Sequence, residues 1–355
     1  MAERMRFGII GAGVIAEYHA RAIEAQPDGL VVAVASRGKA KAEAFASRHS
    51  CEVVADWRDM IRRDDIESVC VCTPSGLHAG QSIAAASAGK HVMVEKPMAL
   101  NIKDSVDMIR AARDHDVRLA VIYQLRTGES PGLIKKAIGD GVFGRIVFGD
   151  ASLKYWRNQA YYDSADWRGT WAMDGGGSSM IQGSHGIDLL LYMMGDVKSI
   201  YARYGTVAHD IEVEDAAIAL LTYKNGAYGR LETATATNPG TGNIFEINGT
   251  KGSVVMVENI ITSWAVSDSS DVLAVETVHD VTGEAGAGTT SASEFPITGH
   301  IIQMGNFIAA IRKGDELICS GREGLKSVHL IMALYESSRR GEEVCLNELL
   351  EGCDL

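Results

Sequence analysis

Two places in this sequence hold side chains that could move a proton or steady a developing charge: Glu95-Lys96-Pro97, and His185 inside an apolar pattern. Val92, Met93 and Val94 form a short apolar run, entered after Gly89 and closed by the charged pair and the proline. This reads as a buried strand that delivers Glu95 and Lys96 to its carboxyl end, where open α/β sheets put their chemistry. Pro97 biases Lys96 away from the α region, so the ammonium has a defined direction. His185 shares one face of a helix expected over residues 179–194 with Ile181, Gln182, Asp188 and Leu189. A histidine on such a face is more often a satisfied core residue than a catalyst. A lysine and a histidine together fit one kind of step. Taking a proton from a hydroxyl needs a base, and the developing alkoxide needs positive charge or hydrogen bonds.

The elements that must position Lys96 begin upstream. Residues 6–10 read as a strand, followed by Gly11-Ala12-Gly13-Val14-Ile15-Ala16 and a helix to about residue 26. This is the G-x-G-x-x-A form of the dinucleotide fingerprint. Gly11 makes the tight turn, Gly13 admits a pyrophosphate to the backbone, and Ala16 lets helix and strand pack closely. The helix amino terminus, from Val14 and Ile15, supplies N–H donors to phosphate. A second strand over 31–35 ends in Ser36-Arg37, where a site preferring NAD usually carries an acid for the ribose 2′-hydroxyl. A guanidinium there suits a 2′-phosphate, so the expected cofactor is NADP, with NAD as the alternative. Helices over 39–49 and 57–62, strands over 52–54 and 68–72, a helix ending at Gly89, a helix over 101–115 and a strand over 117–123 complete a doubly wound parallel sheet.

The stretches TPSGLHAGQSIAAASAGKHVMVEKPMAL and GAGVIAEYHA resemble the glucose-fructose oxidoreductase, inositol dehydrogenase and MocA family of NAD(P)-dependent oxidoreductases, and the likeness runs from Phe7 to about Gly341. The resemblance implies that Lys96 is catalytic beside the nicotinamide, and that Thr73, Pro74 and His78 line the cofactor. Glu95 is expected to hold Lys96 or the nicotinamide ribose. GGGSSMIQGSHGIDLLLYMMG resembles the family's second signature, which makes His185 the second catalytic candidate. Many members carry an aspartate four residues before that histidine; here Ile181 followed by Gln182 excludes a carboxylate relay at that position. His185 is then expected to exchange the proton and Lys96 to stabilise the oxygen, with the reverse assignment as the alternative that the sequence leaves open.

After residue 124 the pattern becomes mainly antiparallel: a helix near 133–138, strands around 145–155 and 199–207, and two strands flanking Asn225-Gly226, where both residues tolerate positive φ. A further pair surrounds residues 248–252. Trp156, Arg157, Tyr161, Trp167 and Arg168 precede a glycine run and suit a pocket that stacks on sugar faces or holds anions. Arg126 joins them by family analogy, and Gln182 by its place beside His185. Residues 282–293 read as a loop, and helices are expected over 300–312 and 325–339. The domains expected are 1–123 for the cofactor and 124–355 for substrate and oligomerisation, the last helix packing back on the first domain. By resemblance, the α+β second domain carries a large, open, mainly antiparallel sheet, through which a homodimer or homotetramer forms.

The 355 residues are 46% hydrophobic and 23% charged, room for two cores. With 34 Lys+Arg against 46 Asp+Glu, the net charge of −12 argues against nucleic acid or an anionic membrane as main partner. No apolar run approaches the ~20 residues needed to span a bilayer, and the first residues read as a strand without a convincing cleavage site. The six cysteines lack ligand spacing, so no metal is expected and a cytoplasmic protein with reduced thiols is. The expected reaction is hydride transfer between nicotinamide and a secondary alcohol or ketone of a sugar, sugar acid, cyclitol or sugar nucleotide. The alternatives are redox-assisted glycoside hydrolysis and a catalytically silent nucleotide-binding regulator.

Overall fold

A computed structural model describes residues 4–267 and 296–352; the loop expected over 282–293 and Cys353 lie outside them. By its contacts the chain divides into two compact units, Met1–Gln124 with Ile297–Leu325, and Leu125–Pro296 with Lys326–Gly352.

In the first unit the order is β1 (Met5–Ile10), α1 (Val14–Glu24), β2 (Gly29–Ala35), α2 (Lys39–His49), β3 (Glu52–Val54), α3 (Trp57–Ile61), β4 (Ser68–Val71), α4 (His78–Ser87), β5 (His91–Val94), α5 (Ile102–Asp114) and β6 (Leu119–Val121). The strands form one sheet in the order β3-β2-β1-β4-β5-β6, all parallel. Every residue of β4, and Val92 to Val94 of β5, is buried, as expected where helices cover both faces. Asn101 starts α5 by accepting a hydrogen bond from Asp104 N at 2.8 Å. The helix Thr298–Lys313, far away in sequence, belongs here too. Gln303 donates to Val121 O (2.7 Å) and accepts from Tyr123 N (3.1 Å), while Cys319 O accepts from Val121 N at 3.0 Å. Backbone groups of the edge strand β6 are thereby satisfied. Of the final helix, Gly321–Arg340, the residues to Leu325 belong to this unit and those from Lys326 to the second.

The second unit contains α6 (Glu129–Gly139), β7 (Ile146–Lys154), α7 (Ser184–Met194) and β8 (Val197–Gly205). After these come β9 (Ala216–Tyr223), β10 (Tyr228–Ala234), β11 (Gly242–Gly249), β12 (Gly252–Val257), β13 (Ile260–Val266) and β14 (Val344–Cys345). Its sheet runs β13-β12-β11-β7-β10-β9-β8-β14 and is antiparallel except where β7 meets β10. In β9 burial alternates with the pleat: Ala217, Ala219, Leu221 and Tyr223 are buried, whereas Ile218 and Leu220 are exposed. Phe148, Tyr201 and Tyr228 are exposed on neighbouring strands. The β9–β10 hairpin forms as expected, with a different turn. Tyr223 N donates to Ala227 O across three residues, and of the pair Asn225-Gly226 only Gly226 has positive φ, +87°. Asn225 accepts from Ala227 N at 3.0 Å instead, consistent with a three-residue loop closed by a glycine. Among the described residues no helix is long and apolar enough to cross a membrane.

Candidate active site

The first unit builds the nucleotide end from β1 and β2. Gly11 has φ +111°, and a Cβ there would lie 2.5 Å from Cys72 O, so only glycine lets the chain turn this close to the end of β4. Gly11 N donates to Ala35 O at 2.8 Å, which ties the turn to the end of β2. Gly13 starts α1 without a side-chain cap, and Gly13 and Val14 are exposed, with Ile15 partly so. Uncapped first-turn amides and the helix dipole fit a pyrophosphate. Ser36 is half-buried and Arg37 exposed, and Arg37 forms no ion pair among the described residues.

Lys96 is half-buried just past β5, and the Lys96–Pro97 peptide is cis. Thr73 and Pro74 are half-buried, and Thr73 Oγ1 donates to Gln81 Oε1 at 2.6 Å. Two neighbours expected on the cofactor are engaged inside the protein. His78 is 1% exposed, with Nδ1 2.8 Å from Pro97 O and Nε2 2.8 Å from Thr73 O; it staples the loop after β4 to the residue after Lys96. Glu95 is buried, and its Oε1 lies 2.9 Å from His19 Nε2 and 3.8 Å from His300 Nε2. Its other oxygen accepts from Lys96 N at 3.2 Å. Burial would raise the Glu95 carboxyl, but the His19 contact and the nearby His300 hold it well below the ordinary range.

In the second unit the helix expected over 179–194 is broken. Ser178–Gln182 is a single π turn, with Gly183 N donating to Ser178 O at 2.7 Å, and α7 follows from Ser184. Positions 181 and 182 therefore do not continue the face of α7. His185 is half-buried in the first turn of α7. Gln182 donates to Tyr161 Oη at 3.2 Å. The Arg168 guanidinium lies 4.5 Å from the Tyr161 ring centre and 4.7 Å from that of Trp167, and Arg157 lies 5.5 Å from Tyr161. Arg168 Nε is buried without a hydrogen-bond partner among the described residues. Trp156 packs 5.9 Å from the His209 ring. Arg157, Trp167, Arg168 and Gln182 thus gather around Tyr161. Arg126 does not join them: it is 5% exposed and forms a bidentate pair with Asp188, Nε to Oδ2 at 2.7 Å and Nη2 to Oδ1 at 2.8 Å. Ser327 Oγ donates to the same carboxylate. A guanidinium buried and satisfied in this way is an interior group.

Residues 5–123 match a family model described as an oxidoreductase family with an NAD-binding Rossmann fold, and residues 133–255 match the GFO/IDH/MocA C-terminal domain. The chain belongs to the GFO/IDH/MocA oxidoreductase family. It is 33% identical, with a TM-score of 0.85, to the WlbA dehydrogenase from Bordetella pertussis solved with NADH and UDP-GlcNAcA, over 97% of this chain and 99% of that one. It is 29% identical to levoglucosan dehydrogenase from Pseudarthrobacter phenanthrenivorans over 95% of this chain and 97% of that protein. Inositol 2-dehydrogenase from Rhizobium meliloti is 26% identical, over 96% and 99%. As a GFO/IDH/MocA member the protein is a nicotinamide-dependent dehydrogenase or reductase, and neither the redox hydrolase nor the silent regulator is favoured.

Several residues that shape this GFO/IDH/MocA site are not among the site candidates expected from the sequence. His19 lies on the buried stripe of α1 with Ala16, Ala20 and Ile23, where a polar residue among small apolar ones was the available signal. Glu214 and Asp215, 1% and 0% exposed, stand directly before β9. Adjacent acids entering an apolar strand are unusual, and that anomaly was the clue to them. Asp188 was visible on the face of His185, but nothing local in the sequence identifies Arg126 as its partner.

Proposed function

We infer that the protein oxidises a secondary alcohol, or reduces the ketone, of a sugar that carries an anionic group, as in a uronic acid or sugar nucleotide. The observation that carries this reading is the pair Arg157 and Arg168 about Tyr161, with no carboxylate partner among the described residues. Two guanidinia beside aromatic faces suit a carboxylate or phosphate next to a sugar ring. The WlbA relative, solved with UDP-GlcNAcA, supports the same class. Trp156, Trp167 and Gln182 contribute the stacking and hydrogen-bonding surface.

Gly11, Gly13, Val14 and Ile15 hold the pyrophosphate, and Thr73 and Pro74 the middle of the nucleotide. When bound, the nicotinamide supplies the hydride-accepting carbon. His185 takes the hydroxyl proton, and the Lys96 ammonium stabilises the oxygen as its charge develops. Arg37, exposed and without an ion pair among the described residues, favours NADP over NAD through the 2′-phosphate. The exposed residues Phe148, Tyr201, Ile218, Leu220 and Tyr228 support a homodimer or homotetramer in which a second copy covers the sheet. The balance of charge and reduced-thiol chemistry supports a cytoplasmic location.

The test is turnover of a panel of neutral sugars, uronic acids and sugar nucleotides, with NADP and with NAD, in wild type, Arg37→Ala and Arg168→Ala. The expected result is activity on anionic members only, loss of that activity in Arg168→Ala, and loss of the NADP advantage alone in Arg37→Ala. Turnover of neutral sugars that Arg168→Ala leaves untouched would overturn the anionic class.

A further inference from the structure

We propose that the neighbouring carboxylates of Glu214 and Asp215 are positioning residues that brace two separate parts of the substrate site, Glu214 the segment leading to His185 and Asp215 the segment bearing Arg157. The inference rests on the reading of His185 and Arg157 given above.

Glu214 serves the glycine run. Its Oε2 accepts from Gly177 N and its Oε1 from Ser179 N, each at 2.8 Å, and Tyr335 Oη donates to Oε1 at 3.0 Å. Its own carbonyl accepts from Ser178 N at 2.9 Å. Three successive amides, 177 to 179, are therefore held by one residue, and the π turn carrying Gln182 starts from them. A Cβ at position 177 would come within 1.8 Å of Glu214 O, so the glycine is required by the closeness of this contact. Three residues after the turn comes His185. The first few amides of a helical segment have no partner of their own; here a buried carboxylate supplies it and sets where the segment starts.

Asp215 serves the other part. Its carboxylate accepts from Val207 N (2.7 Å), Ala208 N (2.9 Å) and His209 N (3.0 Å). It also lies 2.9 Å from His209 Nδ1. His209 Nε2 is then 2.7 Å from Arg157 O, and Arg157 N donates to Thr235 O at 2.9 Å. The chain of contacts is Asp215, His209, Arg157 backbone. Trp156 and Tyr162 pack on the same imidazole, at 5.9 and 5.0 Å between ring centres. Successive residues of one extended segment send their side chains to opposite sides, which is how two adjacent acids serve two different loops. Neither carboxylate is paired with a lysine or arginine by any of these contacts; beside the Tyr335 hydroxyl and the His209 ring, the groups they hold are backbone amides.

The test is amide hydrogen exchange and kinetics on the full chain carrying Glu214→Gln or Asp215→Asn. Each replacement keeps the shape and puts an NH2 group where an acceptor oxygen faced an N–H. Glu214→Gln is expected to raise exchange at residues 177–179 and leave 207–209 protected; Asp215→Asn is expected to do the reverse. On a panel sugar that turns over, Glu214→Gln lowers kcat about 10- to 100-fold with KM nearly unchanged, because a displacement of His185 of about 1 Å costs that much. Asp215→Asn raises KM and spares kcat. Exchange that rises in both segments in both variants would show one structural unit and overturn the proposal, as would unchanged exchange in either variant. If no panel sugar turns over, the proposed substrate class fails, and the exchange pattern still decides the brace.

Discussion

Each unit buries a glutamate that holds the backbone of a segment bearing a proposed catalytic residue, and the two are treated in opposite ways. In the first unit Glu95 is answered by imidazoles, His19 at hydrogen-bonding distance and His300 farther off, and its carboxyl is held well below the ordinary value despite burial. In the second unit Glu214 is answered by two backbone N–H groups and a tyrosine hydroxyl. Burial there outweighs the amides of Ser179 and Gly177 and the Tyr335 hydroxyl, and the carboxyl is raised. A group that can itself carry charge compensates for lost water better than fixed dipoles do. The dipoles, in exchange, fix the course of the backbone, whereas the imidazoles mainly tie helix to strand.

The contrast gives opposite dependences on pH. Glu95 binds its proton less readily folded than unfolded, so its contribution is present above the ordinary carboxyl range and is lost as pH falls through the folded value. Glu214 binds its proton more readily folded, so its contribution is greatest at low pH and declines as pH rises through the folded value.

The harshest way to break the comparison is to remove a charge that answers a charge. Arg126→Ala leaves Asp188 buried without its guanidinium and is expected to cost about 3–5 kcal/mol, measured from urea midpoints and slopes. A loss under about 1 kcal/mol would mean that Ser327 and water replace the pair. Next in size, His19→Leu deprives Glu95 of its nearest partner and is expected to cost about 1–3 kcal/mol near neutral pH. Its acid unfolding limb should move to higher pH, because the Glu95 carboxyl returns towards its ordinary value; an unmoved limb would mean that His19 plays no electrostatic part. The smallest effect belongs to a purely local device. Asn101→Ala removes the cap of α5 and should cost about 1 kcal/mol with no change in the pH dependence.

How much of this could be read in advance follows the same division. The helix Lys39–His49 and the strand Glu52–Val54 have the bounds expected from the sequence, and Gly11 turns where the fingerprint requires, because each depends on neighbours a few residues away. The π turn at 178–182 was not legible, since its cause is Glu214, 35 positions from Ser179. The pairing of Arg126, a substrate candidate by family analogy, was out of reach for the same reason: Asp188, which holds it, stands 62 positions on. His78 and Glu95 also make contacts that the motif does not announce, His78 to Pro97 O and Thr73 O and Glu95 to His19 as well as to Lys96 N, since a motif fixes which residue stands at a strand end but not which way its side chain turns.

The parallel seam between β7 and β10 divides the second unit's sheet into two antiparallel blocks, β13-β12-β11-β7 and β10-β9-β8-β14. Within the second block, β9 and β10 can zip from their tight turn. The seam joins residues far apart in the chain, as at Ser152 and Glu232, 80 positions away. On its other edge β7 pairs with β11, farther still along the chain. Closing such long loops comes before any contact repays it, so during synthesis β7 must wait with one edge open until β10, and the other until β11, has left the ribosome.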